Sequence, residues 1–172
     1  MTIMDNATNR ENDSRTFSVL VENRFGVLAR VAGLFSGRGY NIASLTVHQT
    51  HDPRYSKMTI VTSGDDDVLE QIEKQLRKLV DVIRVDVLSG SAFSEREVAL
   101  LKLRTATREE RSQIIQLVEV FNGKIVSVSN HEIAVEISGK ADRIDDFTAL
   151  VRDFGIIDMA RSGRVAIARC RD

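Results

Sequence analysis

Three sets of residues in this sequence have types and spacing that could do chemistry. The first is histidine: His48 and His51 stand three apart, and His131 lies far along the chain. A metal site needs three or four converging ligands, and no cysteine pair supports these, because Cys170 stands alone. The run Asp65-Asp66-Asp67 fits a helix start, where acids meet the positive end of the dipole, better than a cation site. The second set is Gly37-Arg38-Gly39. A dinucleotide loop follows a strand, opens a helix and carries a third glycine. Here the glycines close a helical pattern and Ile42 holds the third place, so the segment reads as a helix C-cap. Serines are plentiful, but no nucleophile motif surrounds them, and no catalytic residue is assigned.

The third set is the segment Glu22-Asn23-Arg24-Phe25-Gly26-Val27-Leu28. Asn23 can cap a helix or bond a polar ligand. Gly26 lets a ligand approach the backbone closely. A helix starting near Val27 offers free N–H groups and a positive dipole end to a carboxylate. At the other end of that helix lies Gly39-Tyr40-Asn41-Ile42. In a side-by-side dimer, Asn41 of one chain approaches the loop of the other. Such a cavity suits a small amino acid: N–H groups for its carboxylate, amide and carbonyl oxygens for its ammonium, Val27 and Leu28 for its side chain. Spacing alone leaves a second reading open, in which Asn23 and Gly26 only build a tight loop.

Hydrophobic periodicity along the chain defines the elements that must position these residues. Alternation over 17–21 predicts a strand, helical spacing of Val27, Val31, Leu34 and Phe35 a helix, and 42–49 and 58–63 two further strands. An apolar stripe of Val68, Leu69, Ile72, Leu76 and Leu79 predicts a helix, and 82–88 a strand. After Ser89-Gly90-Ser91 the order recurs. Strand 98–103 precedes a Thr107-x-x-Glu110 capping box and a helix that Gly123 ends. A hairpin forms around Asn130-His131, a helix runs on Ile144, Phe147, Leu150, Val151 and Phe154 and stops at Gly155, and 156–160 is a strand. Val165 to Ala168 either extends the sheet or packs beside it.

Two β-α-β-β-α-β runs predict an α+β chain of two consecutive ferredoxin-like sandwiches. Residues 1–15 read as a flexible tail, 16–89 as the first domain and 95–172 as the second. Open sheet faces and edges favour pairing between units or chains, at least a dimer. Net charge is −1, so no general attraction for nucleic acid or anionic membrane follows. The corresponding third strands carry no aromatic, which argues against the base stacking of RNA recognition motifs. Apolar runs are too short to span a membrane, no signal or transit segment is legible, and a lone cysteine suits a reducing compartment, so a cytoplasmic protein is expected.

These residues also form a pattern. Val19-Leu20-Val21-Glu22-Asn23-x-x-Gly26-Val27-Leu28-x-Arg30-Val31, followed by Gly33-Leu34-Phe35-Ser36-x-Arg38-Gly39-Tyr40-Asn41-Ile42, resembles the ACT domain of the acetolactate synthase (acetohydroxyacid synthase) small, regulatory subunit. Ser44-Leu45-Thr46-Val47, Asp52-Pro53, Ser56-x-Met58-Thr59-Ile60 and 71–82 continue the match, as do Glu95-Arg96-Glu97 and Ala160-Arg161-Ser162-Gly163. The resemblance implies a non-catalytic chain that binds the thiamine-diphosphate-dependent catalytic (large) subunit and raises its activity. It implies feedback inhibition by valine or another branched-chain amino acid, held between two ACT domains of a homodimer. Thiamine diphosphate, Mg and FAD are expected on the catalytic subunit, and no cofactor or metal on this chain. Effector-binding residues fall on Asn23, Gly26 and Asn41, with main-chain groups near Val27, Leu28 and Ile42. Arg24 and Phe25 stand where bacterial members commonly carry an acidic and a small residue; Arg24 would attract a carboxylate and Phe25 would narrow the pocket. The alternative to a regulatory subunit is a stand-alone amino-acid-binding ACT sensor, and an enzyme in its own right ranks last.

Overall fold

The computed structural model describes residues 14–88 and 92–170. Most of the expected tail and the Ser89-Gly90-Ser91 linker therefore lie outside the described residues. By the packing of its backbone the chain divides into two units. The first holds β1 (Ser14–Glu22), α1 (Val27–Gly37), β2 (Ile42–Gln49), β3 (Tyr55–Ser63), α2 (Asp66–Arg77) and β4 (Val82–Leu88). The second contains most of β5 (Phe93–Arg104), then α3 (Arg108–Val120), β6 (Lys124–Val128), β7 (Glu132–Gly139), α4 (Ala141–Val151) with a following 3-10 turn, and β8 (Ile156–Arg161). Each is a β-α-β-β-α-β ferredoxin-like sandwich, as the periodicity predicts.

The first sheet is antiparallel with strand order β2-β3-β1-β4, which leaves β2 and β4 as edges. Phe17, Val19 and Val21 alternate on β1 and are fully buried against the helices. Val27, Val31 and Phe35 repeat every four residues on α1, and Leu69, Ile72 and Leu76 form the stripe of α2. Together they make one apolar core. β1 begins at Ser14, two residues earlier than the expected tail boundary. Main-chain pairing carries it there, with Ser14 opposite Ser63 and Arg15 opposite Thr62, so the polar side chains do not stop the strand.

The second unit repeats the order β6-β7-β5-β8. Its core takes Leu101 and Leu103 from β5, Ile114 and Val118 from α3, and Ile144, Phe147 and Val151 from α4. The expected capping box is present. Thr107 Oγ1 accepts from the Glu110 N–H at 3.1 Å, and the Glu110 carboxylate accepts from the Thr107 N–H at 3.3 Å. The stop of α3 differs from expectation. Asn122, not Gly123, takes the left-handed turn at φ 47°. Gly123 is needed for closeness: a Cβ there would stand 2.8 Å from the Glu136 carbonyl oxygen and collide with Ile137.

The last strand, β9 (Val165–Ala168), groups with the first unit by packing and pairs with β5 as the fifth strand of the β5 sheet, in keeping with the reading that 165–168 extends the sheet. Hydrogen bonds explain the placement. Thr46 Oγ1 donates to the Arg164 carbonyl at 2.7 Å, the Arg164 N–H donates to Ser44 Oγ at 2.8 Å, and the Ala166 N–H reaches Thr59 Oγ1 at 3.4 Å. Ala166 is buried, as are Thr59 and Ser18 on the sheet face away from the helices. Part of a face expected to be open is thus covered by the chain's own end.

Candidate functional site

The connection between β1 and α1 is built around Asn23. Its N–H donates to the Arg54 carbonyl at 2.7 Å, its Nδ2 to the Pro53 carbonyl at 2.9 Å, and its Oδ1 accepts from Ser56 Oγ at 3.1 Å. Asn23 therefore ties its loop to the β2–β3 turn. A primary amide carries two N–H groups, and only one is committed to Pro53, so the other remains for a ligand. The turn is itself held by Arg54, whose guanidinium donates to both oxygens of Asp52 at 2.6 to 3.1 Å. These side-chain bonds, helped by the Arg54 backbone N–H, hold the Asp52 carboxyl down to about 2 from an ordinary 3.8.

Gly26 sits at the N-cap of α1 in the left-handed region, at φ 81°. No side chain caps this helix and no acid occupies its first turn. The Arg30 N–H bonds the Gly26 carbonyl at 3.0 Å, and a Cβ on Gly26 would lie 3.1 Å from Arg30 Nη1. Arg30 Nε in turn donates to the buried Asp81 carboxylate at 2.7 Å. A guanidinium is thereby fixed beside the loop. The arrangement combines a positive helix end, a cation and a spare amide N–H, without an acid in the first turn of the helix. Its chemistry suits a carboxylate.

The predicted residues divide between the two ends of α1. Asn23, Gly26, Val27 and Leu28 are together. The Val27 side chain, however, is buried in the core, so it cannot line a ligand cavity as expected; only its main chain is at the loop. Leu28 is 45% exposed and Phe25 fully so, which leaves two apolar side chains uncovered at the loop. Arg24 Nε lies 3.0 Å from the Glu22 carboxylate, so its charge is shared. Asn41 is exposed at the far end, its carbonyl accepting from Thr62 Oγ1 at 2.5 Å, and Ile42 is half-buried against the core. The 11 residues of α1 span roughly 16 Å at 1.5 Å per residue. One chain does not bring Asn41 to the loop.

Sequence reasoning gave no role to the Arg30–Asp81 pair or to the bracing of Asn23 by Pro53 and Ser56. Arg30 had a legible signal, since it stands four residues after Gly26 and so on the same side of a helix. Asp81 had none, because 51 residues separate it from Arg30.

Residues 17–84 match the family described as the AHAS small subunit-like ACT domain, and residues 96–170 match the small subunit of acetolactate synthase. The chain is 47% identical over 159 residues to a probable acetolactate synthase small subunit of Methanothermobacter thermautotrophicus, covering 92% of this chain and 95% of that one. It is 49% identical over 156 residues to the isozyme 3 small subunit of Escherichia coli, covering 90% and 95%. The chain belongs to the acetolactate synthase small-subunit family. A crystal structure of the acetolactate synthase small subunit from Thermotoga maritima superposes with a TM-score of 0.85 at 40% identity, covering 92% of this chain and 99% of that one.

Motif residues of the small-subunit family in the second unit have structural partners here. Arg161 Nε donates to Glu97, a buried carboxylate, at 2.5 Å, and Arg161 also pairs with Asp145. Ser162 Oγ accepts from the Val98 N–H at 2.9 Å. These contacts lock β8 and α4 to β5. The ACT loop of the first unit has no counterpart there, since Thr107 and Glu110 occupy the start of α3.

Proposed function

We propose that this chain is the regulatory subunit of acetolactate synthase in branched-chain amino acid biosynthesis. It binds the catalytic large subunit, raises its activity and confers feedback inhibition by valine or another branched-chain amino acid. Thiamine diphosphate, Mg and FAD stay on the catalytic subunit. The observation that supports this most is the uncapped start of α1 at Gly26, with Arg30 beside it, in a chain whose family is the acetolactate synthase small subunit.

The effector is held between two copies of the chain. An amino acid is far shorter than α1, so Asn23 and Asn41 of one chain cannot share it. A two-fold dimer solves this by setting Asn41 and Ile42 of one protomer against Asn23, Gly26, Val27 and Leu28 of its partner. The edge strand β2 offers unpaired main-chain groups for such pairing. The effector carboxylate then takes the place of the missing cap, and its apolar side chain covers Leu28. Binding favours one arrangement of the dimer, and through it one state of the catalytic subunit.

The test is acetolactate formation by the catalytic subunit with and without this chain, titrated with valine, leucine and isoleucine. The proposal expects a higher rate on adding the chain and a fall on adding effector. An unchanged rate together with failure to co-purify would leave the stand-alone sensor reading in its place.

A further inference from the structure

A cavity of about 640 Å³ lies on the helix-free face of the first unit, away from the loop at Gly26. Ligand sites are commonly 300 to 1,000 Å³. The strand register explains its chemistry. His48 is opposite Lys57, Lys57 opposite Leu20, and Leu20 opposite Arg84, so these four side chains form one row across the sheet. Cross-strand partners share a face. One row away, Thr46 and Thr59 bond the backbone of β9, which thereby stands beside the row as a wall. Val47, Val165 and Ile167 also line the cavity and are 38%, 60% and 62% exposed.

The row has an apolar centre and cationic flanks. Lys57 and Arg84 stand on either side of Leu20, two strands apart, and Arg84 pairs with Asp86, so Lys57 is the cation of the row left in need of an anion. The nearby carboxylates do not supply it to Lys57. Asp52 is held by Arg54, and Asp86 by Arg84 at 2.8 Å. The Lys57 ammonium has no hydrogen bond or ion pair among the described residues. With its own carboxylates engaged, the cavity also has no anionic partner for an ammonium group.

We propose that this cavity binds a small apolar monocarboxylate, with its carboxylate on Lys57 and its tail over Leu20 and against Ile167. It discriminates against free amino acids, because their ammonium group would be desolvated without a charged partner. The cavity shares no lining residue with the effector site proposed at Gly26.

The test titrates octanoate, octanol and valine into the full chain by calorimetry, with backbone amide spectra to locate binding. Octanoate should shift the amides of Val47, Lys57 and Ile167. Lys57→Gln should weaken octanoate roughly tenfold and leave octanol within about twofold, since one charge-assisted bond is lost and the apolar contact kept. Ile167→Ser should weaken both ligands. Both side chains are partly exposed, so the variants should keep the wild-type unfolding midpoint and amide spectrum. Absent octanoate binding, shifts elsewhere, equal octanoate affinity in Lys57→Gln, or displacement of octanoate by saturating valine would each overturn the proposal.

Discussion

The two units share an order of elements but treat the first helix of the order in opposite ways. In the first unit α1 opens at a left-handed glycine, with no side-chain cap and no acid in its first turn. In the second, α3 opens with Thr107 and Glu110 closing a capping box, and Glu109 and Glu110 add two negative charges. One helix end has no cap from a side chain; the other supplies its own carboxylate. The free N–H groups at a helix start must be satisfied by something, so a missing cap marks a place for ligand or water. The same fold thus carries an uncapped end, which the proposed function makes the receptive one, and a closed end.

Each unit also pins a buried carboxylate with one arginine: Arg30 on Asp81, and Arg161 on Glu97. The largest effect is expected in the second unit. Arg161→Met takes the guanidinium from the buried Glu97 and from Asp145 at once and should lower unfolding free energy by about 3 kcal/mol. Arg30→Met should lower it by about 1 kcal/mol, because the Arg30 side chain is 48% exposed and water replaces part of what is lost. Denaturant titrations of the full chain compare them, and equal losses would break the distinction.

The next effect concerns the receptive end. Gly26→Asp sets a negative charge against the effector carboxylate and should weaken valine binding by roughly 100-fold, since like-charge contacts cost several kcal/mol. Gly26→Asn adds similar bulk, tolerates the left-handed backbone and lacks the charge, so it should lose much less. Calorimetry with both variants decides whether charge or bulk matters. At the closed end, Thr107→Ala should cost about 1 kcal/mol of stability and leave valine affinity unchanged. A change in valine affinity there would blur the contrast between the units.

The smallest effect lies in the two hairpin turns. The β2–β3 turn depends on Asp52, whose carboxyl titrates at about 2 because Arg54 bonds its charged form. A folded value below the ordinary 3.8 means that the pairing stabilises the fold above that pH and is lost as pH falls through about 2. Arg54→Gln should return the Asp52 midpoint toward 3.8, read by carboxyl carbon shifts. The β6–β7 turn is closed by Ser129 Oγ, which accepts from the Glu132 N–H at 3.1 Å, and by Arg111, which donates to the Ser129 and Asn130 carbonyls; these bonds use no carboxylate, so Ser129→Ala should loosen that turn without an acid-dependent step.

Much of the fold was legible because its signals are local. The stripes of α1 and α2, the alternation of β1 and the Thr107–Glu110 box each depend on residues within a few positions of one another. The loop residues Asn23 and Gly26 were legible for the same reason. Val27 was misread as a wall of the cavity, since helical spacing alone does not say which apolar residue at a helix start turns inward. The bracing of Asn23 by Pro53 and Ser56 crosses about thirty residues and leaves no local trace.

By itself the sequence determined the two β-α-β-β-α-β units, the candidate loop at Asn23 and Gly26, and the family pattern, since periodicity and motif spacing are written along the chain. Only the tertiary structure decided that α1 lacks a cap while Arg30 and Asp81 pair beside it. It alone joined β9 to the first unit and set Lys57, Leu20 and Arg84 in one row. Those facts depend on strand register and on contacts between distant residues, which no local spacing encodes.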